Sequence, residues 1–176
     1  GNLGVMRKWG LLPFWAKDPK IGYKMINARA ETVAEKASFK KAIGSRRCIV
    51  PAGGFYEWKR EQGRKIPYLF QPKTDTVFSF AGLYETWEKN DLIIHSYTII
   101  TTAANDLVQP VHDRMPVILP KDDEDAWLNA KTPFTNVMAL LNPFSAADMR
   151  CHPVSTEINN VRNNHPDLVK PVSVGE

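Results

Sequence analysis

The sequence predicts an α+β fold, with a core that is a curved antiparallel sheet or open β-barrel and short helices at its flanks. Four or five strand-like runs follow one another between residues 48 and 102, with helix-like segments before and after them. The chain has 176 residues, 43% of them hydrophobic, which suits a globular protein with a real core. Because no internal repeat or low-complexity linker interrupts it, we expect one domain over residues 1–176.

Before the first strand, the sequence predicts a loop and then a helix. Glycine and proline break the opening run from Trp9 to Trp15, so we expect a loop that exposes or half-buries its two indoles. Residues 31–43 place apolar side chains on one side and lysines opposite, a spacing that predicts a helix. The apolar side consists of Val33, Ala37, Phe39 and Ile43.

Turn residues and β-branched runs predict the strands. Cys48-Ile-Val-Pro starts a strand that continues through two glycines to Trp58, and residues 61–64 form a hairpin turn before a returning strand over 66–71. A second turn over 73–76 leads to a strand over 77–87. Asn90-Asp91 then leads to an Ile- and Thr-rich strand over 92–102.

The last third of the chain is predicted to mix short elements. Residues 105–111 form one or two helical turns, and 115–119 a strand. A helix starts at residues 122–125, where four acidic side chains suit the positive end of its dipole. A second short helix covers 135–141, and the tail from His152 is mostly extended.

Charge is distributed very unevenly along the chain. Residues 1–65 hold 15 of the 23 Lys and Arg but 5 of the 19 Asp and Glu, a net charge of +10, and the remainder carries −6. Aromatic residues interleave the basic half, which resembles a polyanion-binding surface with stacking platforms. On charge alone, a solvated basic face is an equally good interpretation.

Several classes of protein and site are disfavoured. No apolar run approaches the length that crosses a bilayer, and no signal peptide opens the sequence. Cys48 and Cys151 have neither metal-ligand nor disulfide-framework spacing, so we expect a cytoplasmic protein, and Cys48 to be a buried small hydrophobe. Without a metal cluster, Gly-rich phosphate loop or nucleophile elbow, we expect no metal and no cofactor.

Two residues are candidates for proton transfer. Glu57 lies between aromatic residues in a strand, where its charged form is disfavoured and the carboxyl group can act as acid or base near neutral pH. A structural carboxylate paired with a nearby cation is the alternative. His112 precedes Asp113-Arg114 at the start of a predicted strand, and imidazole is best suited to move protons at pH 7. A lone histidine is more often structural, although Arg114 could hold a phosphate with two hydrogen bonds.

Asn27 and Arg29 form a third candidate group. They bracket one small residue, so in an extended segment both side chains point to the same side. This would pair an orienting amide with an anion-binding guanidinium. The alternative is that Asn27 caps or turns the entry to the following helix.

Six motifs occur in a fixed order, over residues 9–18, 27–32, 46–58, 81–84, 101–105 and 112–116. In this order they resemble one family, the SOS response-associated peptidase (SRAP) domain. The resemblance spans nearly the whole chain, and the closing segment from Val154 to Arg162 fits it too.

The resemblance implies a sensor of abasic sites in single-stranded DNA, acting in DNA repair. In this family an N-terminal cysteine, exposed by removal of the initiator methionine, captures the abasic aldehyde as a thiazolidine crosslink. Glu57 would then handle protons in Schiff-base formation and methionine removal, His112 would assist ring opening and crosslink reversal, and Asn27 would position the cysteine. The residues implied to stack on bases or clamp phosphates are Trp9, Trp15, Arg29 and Arg114.

One departure from the family pattern bears on activity. The family's cysteine stands in a Cys-Gly-Arg setting well before the Trp-Gly-Leu motif, whereas this chain opens Gly1-Asn-Leu-Gly-Val. We therefore expect a truncated, monomeric domain that cannot form the adduct, since neither Cys48 nor Cys151 offers amine and thiol on one terminal residue. A non-covalent single-stranded DNA-binding module is the alternative, and an unrelated hydrolase using Glu57 and His112 with water is a third.

Overall fold

The structure is a computed structural model that describes residues 3–74 and 76–173. The chain divides into two compact units. The first comprises Gly1–Pro51, Ser79–Thr102 and Pro116–Asn142, and the second Ala52–Phe78, Ala103–Met115 and Pro143–Glu176. Gly1, Asn2 and Asp75, on which the expectation of truncation and one predicted turn partly rest, lie outside the described residues.

The described residues contain ten strands, three short α-helices and several 3₁₀ helices. The strands are β1 (Lys8–Trp9), β2 (Asn27–Arg29), β3 (Arg47–Ala52), β4 (Phe55–Glu61), β5 (Arg64–Pro72), β6 (Phe78–Lys89), β7 (Leu92–Ala103), β8 (Arg114–Pro116), β9 (Ile118–Leu119) and β10 (Met149–Pro153). The α-helices are α1 (Lys40–Ser45), α2 (Glu124–Leu128) and α3 (Phe134–Ala139). The 3₁₀ helices are Pro19–Lys24, Ala30–Thr32, Lys121–Asp123, Ala146–Asp148, Thr156–Asn159 and Pro166–Val169.

The sheet of the first unit has the strand order β1-β7-β6-β3, with β2 also paired with β7 and β9 with β6. Strands β6 and β7 form a long antiparallel hairpin, whose turn residues Asn90 and Asp91 have φ of 50° and 61°. Two successive positive φ angles are the mark of the type I′ turn that suits twisted hairpins. The predicted α+β class is confirmed, with no closed barrel in the described part of the chain. The sheet is mixed, because β1 and β2 run parallel to β7.

A buried arginine organises the core of the first unit. Arg47 donates hydrogen bonds to the carbonyl oxygens of Ile43, Gly44, Trp127 and Asn129 at 2.6–3.0 Å. These bonds satisfy a charged group that would be costly to bury without partners. Trp127 is itself fully buried and donates its indole N–H to the carbonyl of Cys48 at 2.8 Å. These hydrogen bonds connect α1, the C-terminal end of α2 and strand β3 within one core.

The sheet of the second unit is antiparallel, in the order β10-β5-β4. The predicted 61–64 turn is confirmed, and its central residues Gln62 and Gly63 have φ of 49° and 76°. Where one strand was predicted from Cys48 to Trp58, two strands flank a break at the paired glycines. A side chain at Gly54 would be crowded, because a Cβ there would lie 2.7 Å from Leu69 Cδ1 and 3.1 Å from the carbonyl oxygen of Phe70.

Other predicted elements differ in detail. The helix predicted over 31–43 is wrong: Ala30–Thr32 is 3₁₀, turns follow, and α1 begins only at Lys40. The strand predicted over 115–119 is two short strands, and residues 106–111 are hydrogen-bonded turns. The helices predicted at 122–125 and 135–141 are confirmed as α2 and α3. Within the described residues, no helix has the length and apolar character needed to span a membrane.

Candidate active site and nucleic-acid interface

The second unit brings together the two residues predicted to move protons. Glu57 Oε1 lies 3.8 Å from His112 Nδ1, although 55 residues separate them in sequence. The carboxylate is the more buried partner, with 23% of its side chain exposed against 43% for the imidazole. The pair is therefore close enough to exchange a proton through small movements or one water, and is still open to solvent.

Strand β4 and a turn held by one asparagine place these two side chains. Glu57 stands opposite Tyr68 in the β4–β5 register, and alternation directs Tyr56 and Trp58 to the other face of the strand. The His112 backbone N–H donates to Val108 O at 3.0 Å, closing the turn that follows Asn105. Backbone hydrogen bonds thus hold both residues in place, those of the β4–β5 ladder for Glu57 and that of the turn for His112.

The side chain of Asn105 builds the turn that carries His112. Its Oδ1 accepts hydrogen bonds from the N–H groups of Leu107 and Val108 at 3.1 and 3.0 Å, and its Nδ2 donates to Phe144 O at 2.7 Å. The first two bonds form an Asx turn. Sequence reasoning assigned no role to Asn105, although an asparagine directly before a turn was a usable signal.

Burial raises the pKa of the Glu57 carboxyl above its ordinary value of 4.5, the His112 imidazole opposes that rise, and the Asp113 carboxylate adds to it. The neutral acid is favoured because the half-buried site solvates the charged form poorly. A carboxyl group shifted in this direction can both donate and accept a proton closer to neutral pH. The prediction that aromatic surroundings would disfavour the charge of Glu57 is consistent with this shift.

The imidazole of His112 sits where either protonation state finds a partner. Its Nδ1 is 3.1 Å from both the N–H and the carbonyl oxygen of Arg114. A neutral ring can accept from that N–H at Nδ1, whereas a protonated ring can donate to the carbonyl oxygen. Asp113 Oδ1 lies 3.5 Å from the same nitrogen, so a second carboxylate stands beside the ring.

Asn27 and Arg29 lie together on β2 in the first unit. Both are exposed, while Ala28 between them is fully buried, as the extended pattern predicts. Asn27 does not cap a helix, because the residue preceding the Ala30–Thr32 helix is Arg29, which makes no side-chain cap bond. The alternative of a capping asparagine is thus wrong. The roles of Asn27 and Arg29 in positioning and anion binding stay predictions.

Trp9 and Trp15 also belong to the first unit, and each is about half exposed, at 50% and 45%. The Trp9 indole donates its N–H to Ile26 O at 2.8 Å and stacks on Tyr97 with ring centroids 6.4 Å apart. One face of this ring is therefore held in place. Exposed, oriented indoles suit base stacking, although no described contact tests that role.

Arg114 begins β8 and is half-buried in the second unit, immediately after the His112 turn. Its predicted role as a phosphate clamp remains untested.

Cys48 is half-buried, and burial raises the pKa of its thiol to about 11, partly offset by the Arg7 guanidinium. This fits the expected small hydrophobe rather than a reactive thiol. Among the described residues, no group of three or more His, Cys, Asp or Glu could hold a metal ion.

Fold and site together define a class of protein: an α+β domain with a carboxylate–imidazole pair in one unit and exposed aromatic residues with basic neighbours in the other. A family model described as SOS response associated peptidase (SRAP) matches residues 2–161. The chain belongs to the SRAP family.

Relatives and solved structures agree with this assignment. Abasic site processing protein YoqW of Bacillus subtilis is 52% identical over 174 residues, covering 96% of this chain and 76% of the relative. Abasic site processing protein HMCES of Xenopus tropicalis is 35% identical, and the match covers 97% of this chain but 57% of that protein. A crystal structure of a protein from Bacteroides thetaiotaomicron has a TM-score of 0.87 and 34% identity, covering 94% of this chain and 75% of that one.

Proposed function

We propose that this chain is an abasic-site processing domain that recognises the lesion in single-stranded DNA. The observation that carries the proposal is the Glu57–His112 pair, 3.8 Å apart and beside an arginine. The names of relatives that are 35–52% identical over most of the chain support the substrate. The basic, aromatic-rich first 65 residues support a nucleic-acid partner.

The proposed chemistry is capture of the aldehyde of the ring-opened abasic sugar. His112 assists opening of the sugar ring, which exposes the aldehyde. The α-amine of an N-terminal cysteine attacks the carbonyl carbon, one water leaves to give a Schiff base, and the thiol adds across the C=N bond to close a thiazolidine. Glu57, as the neutral acid, donates the proton that lets the hydroxyl leave as water, and as the carboxylate it takes a proton back.

The same carboxyl group serves the peptidase activity of the family in this proposal. Removal of an initiator methionine requires activation of a water and protonation of the leaving amine, both within reach of one half-buried carboxyl. Asn27 would hold the terminal cysteine, and Trp9, Trp15, Arg29 and Arg114 would bind the DNA on either side of the lesion. All of these roles are proposals for this chain.

A non-covalent DNA-binding module is the second candidate function. Exposed aromatic side chains with nearby cations favour it: Lys41 Nζ lies 4.3 Å from the Phe14 ring centroid, and Lys8 Nζ 5.4 Å from that of Tyr23. Such pairs suit bases and phosphates of a single strand without sequence preference. Under this function, binding would not depend on the lesion.

An adduct assay separates the two candidates. The chain is extended with the N-terminal segment of the family, which opens Cys-Gly-Arg, and mixed with a single-stranded oligonucleotide that carries one abasic site. A denaturation-resistant band is expected, and an extended protein that gives no band contradicts the covalent function. The unextended chain is the matched control and should give none. A band from it would contradict the requirement for a terminal cysteine.

A binding measurement covers the case in which the extended protein fails to fold. The unextended chain is titrated against abasic and intact oligonucleotides of equal length at several salt concentrations. Tighter binding to abasic DNA supports lesion recognition, and equal affinities favour the non-covalent module. A flat salt response would contradict a basic DNA-binding surface altogether.

A further inference from the structure

The β4–β5 hairpin that carries Glu57 has two faces with different charge. Alternation and register place Glu57, Lys59, Glu61 and Arg64 on one face, and Trp58, Arg60 and Lys65 on the other. On the Glu57 face, charges of opposite sign meet: Lys59 Nζ lies 3.2 Å from Glu61 Oε1, and Glu61 stands opposite Arg64 in the register. That face therefore compensates its own charge.

The Trp58 face carries two cations and no acidic residue from the hairpin. Arg60 stands directly opposite Lys65, both are exposed, and neither forms an ion pair within 4.0 Å among the described residues. Like charges directly opposite each other on antiparallel strands are destabilising. Trp58 beside them is fixed, because its indole N–H donates to Asn159 Oδ1 at 2.7 Å. An external anion can therefore neutralise two cations that have no ion-pair partner on this face.

We propose that Arg60 and Lys65 bind two phosphates of the DNA strand that carries the lesion. This rests on the proposed function, because β4 holds Glu57 three residues before Arg60, about 10 Å along the strand at roughly 3.3 Å per residue. Glu57 is on the opposite face, but β4 is an edge strand of its sheet, so a DNA strand can pass over that edge from one face to the other. Phosphates of a nucleic acid chain are spaced regularly enough to meet two adjacent cations, and a bound polyanion removes the repulsion between them. An acidic protein partner is the rival interpretation, and it predicts unchanged DNA binding when both cations are removed.

The test uses the unextended chain with Arg60→Gln and Lys65→Gln together. Affinity for single-stranded DNA is measured against salt, with both abasic and intact oligonucleotides. We expect weaker binding to both, and a salt slope that is smaller by about 1.4, which is two phosphates at roughly 0.7 each on a single strand. The melting temperature should stay equal or rise, because the like-charge pair has been removed.

Two matched variants make the result specific. Lys131→Gln with Arg150→Gln removes the same charge from exposed positions outside the hairpin and should change the slope much less. Arg60→Lys with Lys65→Arg keeps the charge and should keep the wild-type slope, which also separates charge loss from damage to the hairpin.

A slope and affinity like those of the wild type in the double Gln variant would overturn the proposal, as would an equal drop in the control pair. Either result would mean that this face has no specific role in binding the DNA strand. Failure of the proposed function has a different signature, since the wild-type chain would then show no preference for abasic over intact DNA.

Discussion

Burial acts on two ionisable side chains of this protein with opposite chemical consequences. In the second unit it raises the pKa of the Glu57 carboxyl, with His112 opposing the rise, and so moves the group toward neutral pH. In the first unit it raises the pKa of the Cys48 thiol to about 11, away from neutral pH, beside a cavity of about 820 Å³ that Arg7, Tyr84 and Tyr97 help to line. The same desolvation thus makes a carboxyl more useful and a thiol less reactive. The comparison favours Glu57 over Cys48 as the group proposed to react.

The largest expected effect is on adduct formation by the cysteine-bearing protein. Glu57→Gln and His112→Ala should each slow adduct formation by about 10²–10⁴-fold, the usual contribution of a positioned acid or base. Rates are measured by quenching and denaturing electrophoresis. Lys59→Gln, on the same strand, is the matched control and should form adduct at the wild-type rate. Wild-type rates in both the Glu57 and the His112 variant would contradict the proposed roles of these residues in proton transfer.

The second prediction concerns the thiol. Because the pKa of Cys48 is about 11 against an ordinary 9.0, its thiolate fraction at pH 8 should be roughly 100-fold lower than that of a free thiol. Alkylation by iodoacetamide in the folded chain should be slower by a similar factor, and become fast in denaturant. Cys48→Ala should leave adduct formation by the extended protein unchanged. Rapid alkylation in the native state would mean that Cys48 is a second reactive group.

The third prediction tests the turn that holds His112. Asn105→Ala removes an Asx turn and a hydrogen bond to Phe144 O, and should destabilise the protein by about 1–2 kcal/mol. Denaturant unfolding measures the loss. Adduct formation should also slow, since the imidazole loses its fixed position opposite Glu57. Asn105→Asp keeps the Oδ1 acceptors and should recover part of both, whereas full stability in the alanine variant would contradict the role of this turn.

The smallest expected effect is a pH dependence of stability. Because the pKa of Glu57 is raised on folding, the unfolded carboxyl ionises first, and the folded state loses stability as pH rises from about 4.5 through the raised value. Glu57→Gln should therefore be more stable than the wild type at pH 7–8, and the difference should vanish below pH 4. Thermal melts at pH 4 and pH 8 measure this. A variant that is less stable at pH 8 would indicate a structural ion pair instead.

Local sequence signals predicted the parts of this fold that depend on neighbouring residues. The turns at 61–64 and 90–91 follow from backbone preferences of Gly, Asn and Asp, and the start of α2 from its acidic residues. The helix predicted over 31–43 is wrong because the spacing of apolar residues indicates which side chains are buried, and not which backbone conformation buries them. Val33, Phe39 and Ile43 are buried as their spacing required, but turns and a short α1 bury them equally well.

The motif order was enough to assign the chain to its family, because six ordered motifs constrain the sequence itself rather than its folded contacts. Alternation likewise predicted that Asn27 and Arg29 share a side of β2. The distance between Glu57 and His112 could come only from tertiary structure, since it depends on where strand β4 and the Asn105 turn meet across 55 residues of chain. The raised pKa of Glu57 has the same origin, because burial and facing charges are properties of packing and not of local sequence.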